Sequence, residues 1–236
     1  MVLRVSKKEN GAHEIFYSIQ GEGINIGFPA VFLRLALCNL RCVWCDSRYT
    51  WDWQQFNLAD NSLEMPIAAI HREILKHDCR YLVVTGGEPL LQQSELFPLL
   101  TELKTAEFYI DIETNGTIRP DARLMETVAH WSVSPKLASS GNSALLREIP
   151  ECYRLFSASP SSHFKFVIQS SDDIDEVIHL ARKYAIPREK IILMPQGSNK
   201  EQLLEKSDWV IGLCQKYGYR FSTRLQTIIW NNKRGL

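Results

Sequence analysis

Short apolar runs rich in β-branched and aromatic residues alternate along the chain with longer stretches whose apolar residues recur every three or four positions. The short runs predict strands at residues 30–35, 81–84, 108–112, 131–133, 163–168, 190–193 and 219–222. The longer stretches predict helices, among them residues 66–77, with Pro66 at the first helical position, and residues 172–184, which open with acidic residues. This alternation predicts an α/β fold with a mostly parallel sheet and helical crossovers.

Polar, glycine and proline residues directly follow most of the predicted strands. Cys38 follows the first strand, and later strands are followed by TGGEP (85–89), ETNG (113–116), SPK (134–136) and MPQG (194–197). Any one of these segments is as readily a plain loop, because glycine and proline interrupt regular structure wherever a chain turns. The carboxyl ends of parallel strands lie at one edge of a sheet, so the segments together predict a ligand site there.

Composition narrows the possible partners and the location. At 236 residues, without internal repeats or long linkers, the chain is predicted to form a single domain, residues 1–236. Lysine plus arginine and aspartate plus glutamate number 27 each, which argues against a broad basic surface for nucleic acid or an anionic membrane. The first residues lack the pattern of a secretory signal, and no apolar stretch approaches the roughly 20 residues of a membrane span. We therefore expect a cytoplasmic protein that binds neither nucleic acid nor membrane.

Half of the six cysteines lie in one short segment, LCNLRCVWCD, at positions 38, 42 and 45. In a reducing compartment such a group favours metal binding or catalysis over disulfides.

A closed zinc site needs a fourth ligand, and the other cysteines are isolated and expected to be core residues: Cys79, Cys152 and Cys214. Arg41 before Cys42 breaks the zinc-deaminase pattern, and Asp46 stands where haem attachment needs histidine. A thiol redox couple leaves Cys38 unused, whereas an iron–sulfur cluster with a distant fourth ligand or one open iron uses all three.

The C-x3-C-x2-C spacing after the first predicted strand, with Trp44 directly before the last cysteine, resembles the radical S-adenosylmethionine (SAM) enzymes. In that superfamily three cysteines hold a [4Fe–4S] cluster, SAM binds the fourth iron, and an electron from the cluster releases a 5′-deoxyadenosyl radical from SAM. The resemblance implies a partial (β/α) barrel of the radical SAM type and an electron donor such as flavodoxin or ferredoxin.

A longer resemblance covers nearly the whole chain. It rests on IFYSIQGEG (15–23), FLRLALCNLRCVWCDSRYTW (32–51), TGGEP, ETNG, SPK and QTIIWNNKRGL (226–236), which are similar to the 7-carboxy-7-deazaguanine synthase family. That family converts 6-carboxy-5,6,7,8-tetrahydropterin into 7-carboxy-7-deazaguanine with loss of ammonia, on the route to queuosine, and regenerates SAM. The resemblance therefore implies a radical SAM lyase that forms a homodimer. A glycyl-radical-enzyme activase and a non-enzymatic iron–sulfur electron carrier are the alternative interpretations.

The same resemblance implies roles for individual residues. Cys38, Cys42 and Cys45 are expected to be the catalytic cluster ligands, and Ser47 is expected to bind Mg²⁺, a hard cation that prefers oxygen ligands. SAM is expected to contact Trp44, Cys45, Asp46, Gly87, Ser134, Pro135, Lys136, Met194, Pro195, Gln196 and Gly197. Among these, Gly87 would let the backbone approach SAM where a side chain would collide.

The pterin substrate is expected to contact Ile19, Gln20, Gly21, Arg34, Thr85, Glu113 and the C-terminal residue Leu236. Arg34 can bind the substrate carboxylate bidentately, although an ordinary ion pair explains such an arginine equally well. Glu113 can accept hydrogen bonds from the guanidine-like edge of the pterin, although a glutamate at a strand end is more often plain surface.

Overall fold

A mixed ten-stranded sheet forms the framework of the computed structural model, which describes residues 1–231 and 233–235. Its strands are β1 (Val2–Ser6), β2 (Ile15–Ile19), β3 (Pro29–Leu35), β4 (Ser62–Pro66), β5 (Tyr81–Gly86), β6 (Tyr109–Thr114), β7 (His130–Val133), β8 (Ser162–Ile168), β9 (Ile191–Pro195) and β10 (Arg220–Phe221). The order across the sheet is β10-β9-β8-β7-β6-β5-β3-β1-β4, and β2 also pairs with β3. Every pair from β3 to β10 is parallel, whereas β1, β2 and β4 pair antiparallel.

Helices connect the parallel strands. Within the described residues they are α1 (Leu58–Asn61), α2 (Ile67–Leu75), α3 (Gln93–Thr105), α4 (Ala122–Thr127), α5 (Ala144–Arg147), α6 (Pro150–Ala158), α7 (Ser171–Lys183), α8 (Lys200–Tyr217) and α9 (Leu225–Trp230). The helix predicted over 172–184 is confirmed as α7, where the Asp173 carboxylate accepts the Ser170 backbone N–H at 3.1 Å in a capping box. The position predicted for Pro66 is wrong, because Pro66 ends β4 and precedes the first residue of α2. None of the helices in this part of the chain combines the length and apolar character of a membrane span.

The parallel strands follow one another across the sheet in chain order. β5 lies beside β3, and each strand from β6 to β10 lies beside the strand before it. Because parallel crossovers have a fixed right-handed sense, this order keeps the connecting helices on one face of the sheet. The arrangement confirms the predicted α/β fold with mostly parallel strands, and it agrees with a partial (β/α) barrel.

The prediction misses the antiparallel side of the sheet. β1 and β4 pair along five residues, with Leu3 opposite Met65, and β2 pairs with β3 along its whole length. These strands are short and mix buried with exposed positions, so they lack the continuous apolar runs that mark the parallel strands. The last predicted strand, 219–222, shrinks to the two residues of β10.

The two faces of the sheet differ in chemistry. Successive side chains of a strand point to opposite faces. Leu33, Val84 and Ile112 are fully buried in the core that the sheet shares with its helices. The residues that follow them, Arg34, Thr85 and Glu113, therefore lie on the opposite face, where they line a cavity. A polar face at the carboxyl ends of the strands thus carries the candidate site.

A second polar group lies on the same face near the amino ends of the strands, and we call Tyr81, Asp111, His130 and His163 the lower layer. The Asp111 carboxylate accepts the Tyr81 hydroxyl at 3.0 Å and lies 3.0 Å from His130 Nδ1, while His130 Nε2 lies 3.1 Å from His163 Nδ1. Burial, together with the neighbouring His130, lowers the pKa of His163 to about 4, so this imidazole is neutral near pH 7. The lower layer fills the end of the interior that is opposite the cysteine segment.

Candidate active site

One cavity of about 230 Å³ gathers almost all of the predicted site residues at the carboxyl ends of the strands. From the substrate set it is lined by Ile19, Gln20, Gly21, Arg34, Thr85 and Glu113. From the cluster, metal and SAM sets it is lined by Cys38, Cys42, Trp44, Cys45, Asp46, Ser47, Gly87, Ser134, Lys136, Met194, Pro195, Gln196 and Gly197. Pro135 is not among the lining residues, and Leu236 lies outside the described residues. The predicted convergence of these loops is therefore observed.

The cysteine segment leaves β3 through Leu37, a non-glycine residue in the left-handed region with φ of +77°. All three cysteines are free thiols, and each sulfur accepts one N–H hydrogen bond. The donors are the Leu40 backbone to Cys38 at 3.5 Å, Asn142 Nδ2 to Cys42 at 3.3 Å and Trp51 Nε1 to Cys45 at 3.3 Å. Burial raises the pKa of the Cys38 thiol to about 12 and also raises the pKa of Cys42. The thiols of Cys38 and Cys42 therefore ionise readily only beside a strong positive charge.

The TGGEP turn packs directly against the cysteine segment. The Gly87 N–H donates to the Leu35 carbonyl at 3.0 Å, and the Glu88 N–H donates to the Leu37 carbonyl at 2.8 Å. A Cβ added at Gly87 would lie 2.0 Å from the Leu37 carbonyl oxygen and 3.0 Å from Cys38 Cβ. The lack of a side chain at Gly87 thus has a reason within the protein that is separate from the predicted approach of SAM.

Glu88, which the sequence analysis leaves without a role, joins the TGGEP turn to the ETNG segment. Its fully buried carboxylate accepts the Asn115 N–H at 2.7 Å, the Thr114 hydroxyl at 2.8 Å and the Leu90 N–H at 3.1 Å. Burial raises the pKa of Glu88 although these donors oppose the rise. The carboxylate is occupied by the protein's own donors, so Glu88 holds the two loops together behind the cavity.

Three residues predicted for the substrate form one hydrogen-bonded group. The Glu113 carboxylate accepts the Thr85 hydroxyl at 2.6 Å and Gln20 Nε2 at 3.1 Å. Thr85 and Glu113 come from the adjacent strands β5 and β6, and Gln20 follows β2. The group thus fixes a carboxylate in the cavity wall, with both of its oxygens oriented by neutral donors.

Arg34 makes the ion pair that the sequence analysis considers as its ordinary role. Its Nε donates to the buried Glu14 carboxylate at 3.0 Å, and the Tyr49 hydroxyl donates to the same carboxylate at 3.0 Å. Arg34 also lines the cavity. Glu14 and Tyr49 therefore orient the guanidinium from behind, and this support is compatible with an anion bound in front of it.

A buried ion-pair network that the sequence analysis misses lines another part of the cavity wall. Glu22 pairs with Lys165 and lies 3.1 Å from Arg224 Nε, and its carboxylate accepts Gln226 Nε2 at 2.8 Å. Burial works to raise the pKa of Glu22, but Lys165 and Arg224 hold it well below its usual range. The available signals were Glu22 inside the QGEG motif and Lys165 between Phe164 and Phe166, where a buried charge without a partner would be costly.

Known proteins resemble the chain over most of its length. Residues 35–210 match the radical SAM superfamily. A 7-carboxy-7-deazaguanine synthase from Pyrobaculum aerophilum is 37% identical over 94% of this chain and 95% of its own length. Another from Rhodopirellula baltica is 31% identical over 98% of this chain and 91% of its own. The chain belongs to the 7-carboxy-7-deazaguanine synthase family. The crystal structure of QueE from Escherichia coli, 24% identical over 95% of both chains, has the same fold with a TM-score of 0.69.

Membership in the 7-carboxy-7-deazaguanine synthase family, within the radical SAM superfamily, implies a [4Fe–4S] cluster and SAM as cofactors. The cysteine segment fits a cluster because three sulfurs face one cavity and each has an N–H donor, as cluster thiolates commonly do. In the described part of the chain, no three Cys, His, Asp or Glu side chains are placed to hold a single metal ion. Cluster cysteines bind different iron atoms and need not converge on one point, so three sulfurs in one cavity wall are compatible with a cluster.

Gly87 offers a test of the loop packing in this family member. Gly87→Ala should lower the free energy of unfolding by about 1–3 kcal/mol, because the new Cβ overlaps the Leu37 carbonyl. It should also lower the iron content, since the cysteine segment must move. Gly212→Ala is the matched control. Gly212 lies inside α8, and an added Cβ would have no atom within 4 Å apart from its chain neighbours and the backbone of its own helix, so stability should rise by about 0.5–1 kcal/mol. Urea unfolding and iron analysis measure both effects, and an unchanged Gly87→Ala protein would contradict the packing argument.

Proposed function

We propose that the chain converts 6-carboxy-5,6,7,8-tetrahydropterin into 7-carboxy-7-deazaguanine and ammonia, in queuosine and 7-deazapurine biosynthesis. The observation that carries the proposal is the hydrogen-bonded group of Gln20, Thr85 and Glu113, which shares one cavity with the three-cysteine segment. A cluster site alone would suit many radical SAM enzymes or an electron carrier. A fixed carboxylate beside it suits a substrate with a guanidine-like N–H edge.

The cofactor roles follow from the residues that line the cavity. Cys38, Cys42 and Cys45 would hold the [4Fe–4S] cluster, and the cluster together with SAM would supply the radical chemistry needed to remove the hydrogen at C6 of the pterin. Residues 134–136 and 194–197, with Trp44, Asp46 and Gly87, would bind SAM. Lys136 supports this assignment, because its ammonium donates to Ser134 Oγ at 3.0 Å and lies 5.8 Å from the centre of the Trp44 ring. These contacts join two of the proposed SAM-binding segments.

The substrate roles assign one polar group to each end of the pterin. Glu113, oriented by Thr85 and Gln20, would accept the N–H groups of the pyrimidine edge, and Arg34, held by Glu14, would pair with the substrate carboxylate. Ile19 and Gly21 would flank the ring. Fixing both ends holds C6 in place while the skeleton rearranges. A contact from Leu236 stays a prediction outside the described residues.

A divalent cation completes the proposal. Ser47 Oγ lies 3.7 Å from Cys45 Sγ in the cavity wall, so Ser47 is the proposed Mg²⁺ ligand beside the cluster. Mg²⁺ keeps several waters and prefers oxygen ligands, so one hydroxyl together with the substrate carboxylate is a sufficient set.

We further propose a cytoplasmic homodimer, with residues 1–236 as a single domain, reduced by a flavodoxin or ferredoxin.

The test is an anaerobic assay of the reconstituted protein with carboxytetrahydropterin, SAM, Mg²⁺ and a reductant. We expect 7-carboxy-7-deazaguanine and ammonia in equal amounts, with many turnovers per SAM.

Glu113→Gln should keep its iron and SAM binding and lose pterin binding, because an amide puts a donor where two acceptor oxygens are needed. Accumulation of 5′-deoxyadenosine in step with product would contradict the proposal and favour a reaction that consumes SAM, such as that of an activase. Absence of SAM cleavage would favour an electron carrier.

A further inference from the structure

One guanidinium, that of Arg224, contacts three separate loops of the cavity. Its Nη2 pairs with the Asp46 carboxylate, its Nε lies 3.1 Å from Glu22 Oε1, and its Nη1 donates to the Gly197 carbonyl at 3.0 Å. Asp46 directly follows the last cysteine, Glu22 lies in the loop after β2, and Gly197 lies in the loop after β9. Only 15% of the Arg224 side chain and 13% of the Glu22 side chain are exposed, so their ion pair is largely shielded from water and salt, whereas 34% of the Asp46 side chain is exposed.

Arg224 lies in a stretch that is joined to the loop after β2 along its length, and we call residues 222–226 the closing segment. The Leu225 N–H donates to the Gly21 carbonyl at 2.9 Å, and the Ser222 hydroxyl accepts the Gly23 N–H at 2.8 Å. A Cβ at Gly21 would lie 1.7 Å from Gln226 Oε1, so the two backbones approach as closely as they do because Gly21 lacks a side chain. The closing segment and this loop are therefore held together by hydrogen bonds and close packing.

The charges of the network balance without any ligand. Arg224 and Lys165 face the carboxylates of Glu22 and Asp46, two cations against two anions. Neither Glu22 nor Arg224 thus needs a substrate charge to be stable in the buried site. The planar guanidinium of an arginine has several N–H donors and can therefore contact three partners at once. The single ammonium group of a lysine at this position could not make the same set of contacts. The arrangement is that of a connection between loops, and a direct ligand contact is not required for it.

We infer that Arg224 is a positioning residue that couples the binding of SAM to the binding of the pterin. The inference rests on the proposed function, in which the loop after β2 contacts the pterin while Asp46 and the loop after β9 contact SAM. The first ligand orders the loop that it touches, and Arg224 transmits that order to the other two loops. The second ligand then loses less conformational freedom when it binds, so it binds more tightly. By linkage, each ligand strengthens the other by the same factor.

The experiment measures SAM binding by anaerobic calorimetry on the protein with an oxidised cluster and no reductant, so that SAM is not cleaved. For the wild type, saturating carboxytetrahydropterin should tighten SAM binding about tenfold, and SAM should tighten pterin binding equally. Arg224→Gln should lose this coupling while each ligand still binds alone. It should still fold, because Glu22 keeps Lys165 and Gln226 as partners. Arg224→Lys retains the charge and should also lose most of the coupling.

Arg154→Gln is the matched control, because Arg154 is exposed on α6 in the outer helical layer and should leave the coupling unchanged. Iron content and circular dichroism establish that each variant is folded and loaded. Coupling of wild-type size in both Arg224 variants, or none in the wild type, overturns the inference. A wild-type product assay with reductant separates this result from the proposed function: product without coupling leaves the function standing, and absence of product overturns both.

Discussion

Replacing Cys38, Cys42 or Cys45 with alanine is expected to abolish iron binding and all activity after anaerobic reconstitution. The three cysteines line one cavity, and each sulfur has its own N–H donor. Each cysteine that is removed would leave one iron atom of the cluster without its protein ligand. Iron and sulfide analysis, the visible absorption spectrum and SAM cleavage measure the effect. We expect the three variants to be equally empty, because no cysteine in the described part of the cavity wall can replace a missing one.

The remaining cysteines provide matched controls for that experiment. Cys152 is a buried residue of α6 and Cys214 is a buried residue of α8, while Cys79 packs against the hydrophobic core, and none of the three lines the cavity. Their alanine variants should retain a full complement of iron and the wild-type spectrum. If one of them loses iron while folding normally, that cysteine is a ligand and the assignment of the three-cysteine segment has to be revised.

Ser47→Ala is expected to lower turnover on the order of 10²-fold while iron content and SAM binding stay intact. The physical reason is that an anionic substrate beside a reduced cluster is costly unless it is paired, and a metal ion can pair the carboxylate and fix its direction together. Arg34 supplies charge from a strand end, but its Nε is already engaged by Glu14. A Mg²⁺ titration of wild type and variant under anaerobic conditions measures the difference.

Ser47→Thr is the control for this prediction, since threonine keeps the hydroxyl and should preserve the response to Mg²⁺. Two results would withdraw the metal assignment. One is wild-type turnover that is unaffected by a chelator, and the other is an alanine variant that keeps the full stimulation by Mg²⁺. In either case Ser47 is an ordinary serine of the cysteine segment.

Local patterns in the sequence predict those parts of the site that depend on a few neighbouring residues. The cysteine spacing is set within eight positions, and TGGEP and ETNG directly follow strands whose apolar runs are easy to recognise. Because parallel strands share a direction, recognising the strands also predicts that these loops meet at one edge. The cavity lined by Cys38, Thr85 and Glu113 is the result.

Long-range partners are what the sequence does not predict. Glu22 and Arg224 are separated by about two hundred positions, and nothing near either residue in the chain indicates the pairing. Lys165 stands out between Phe164 and Phe166, but its partner could have been any carboxylate on the same face of the sheet. The antiparallel strands are missed for a related reason. The pairing of β1 and β2 with β3, and of β4 with β1, is a property of the folded sheet, and the sequences of these strands are short and mixed.

The lower layer also bears on the end of the cavity through which substrate, SAM and product pass. Tyr81, Asp111 and His130 are buried at the amino ends of the strands, so their side chains fill the interior at that end. The cavity lies at the other end, where the strands have their carboxyl ends, so we expect substrate, SAM and product to enter and leave there.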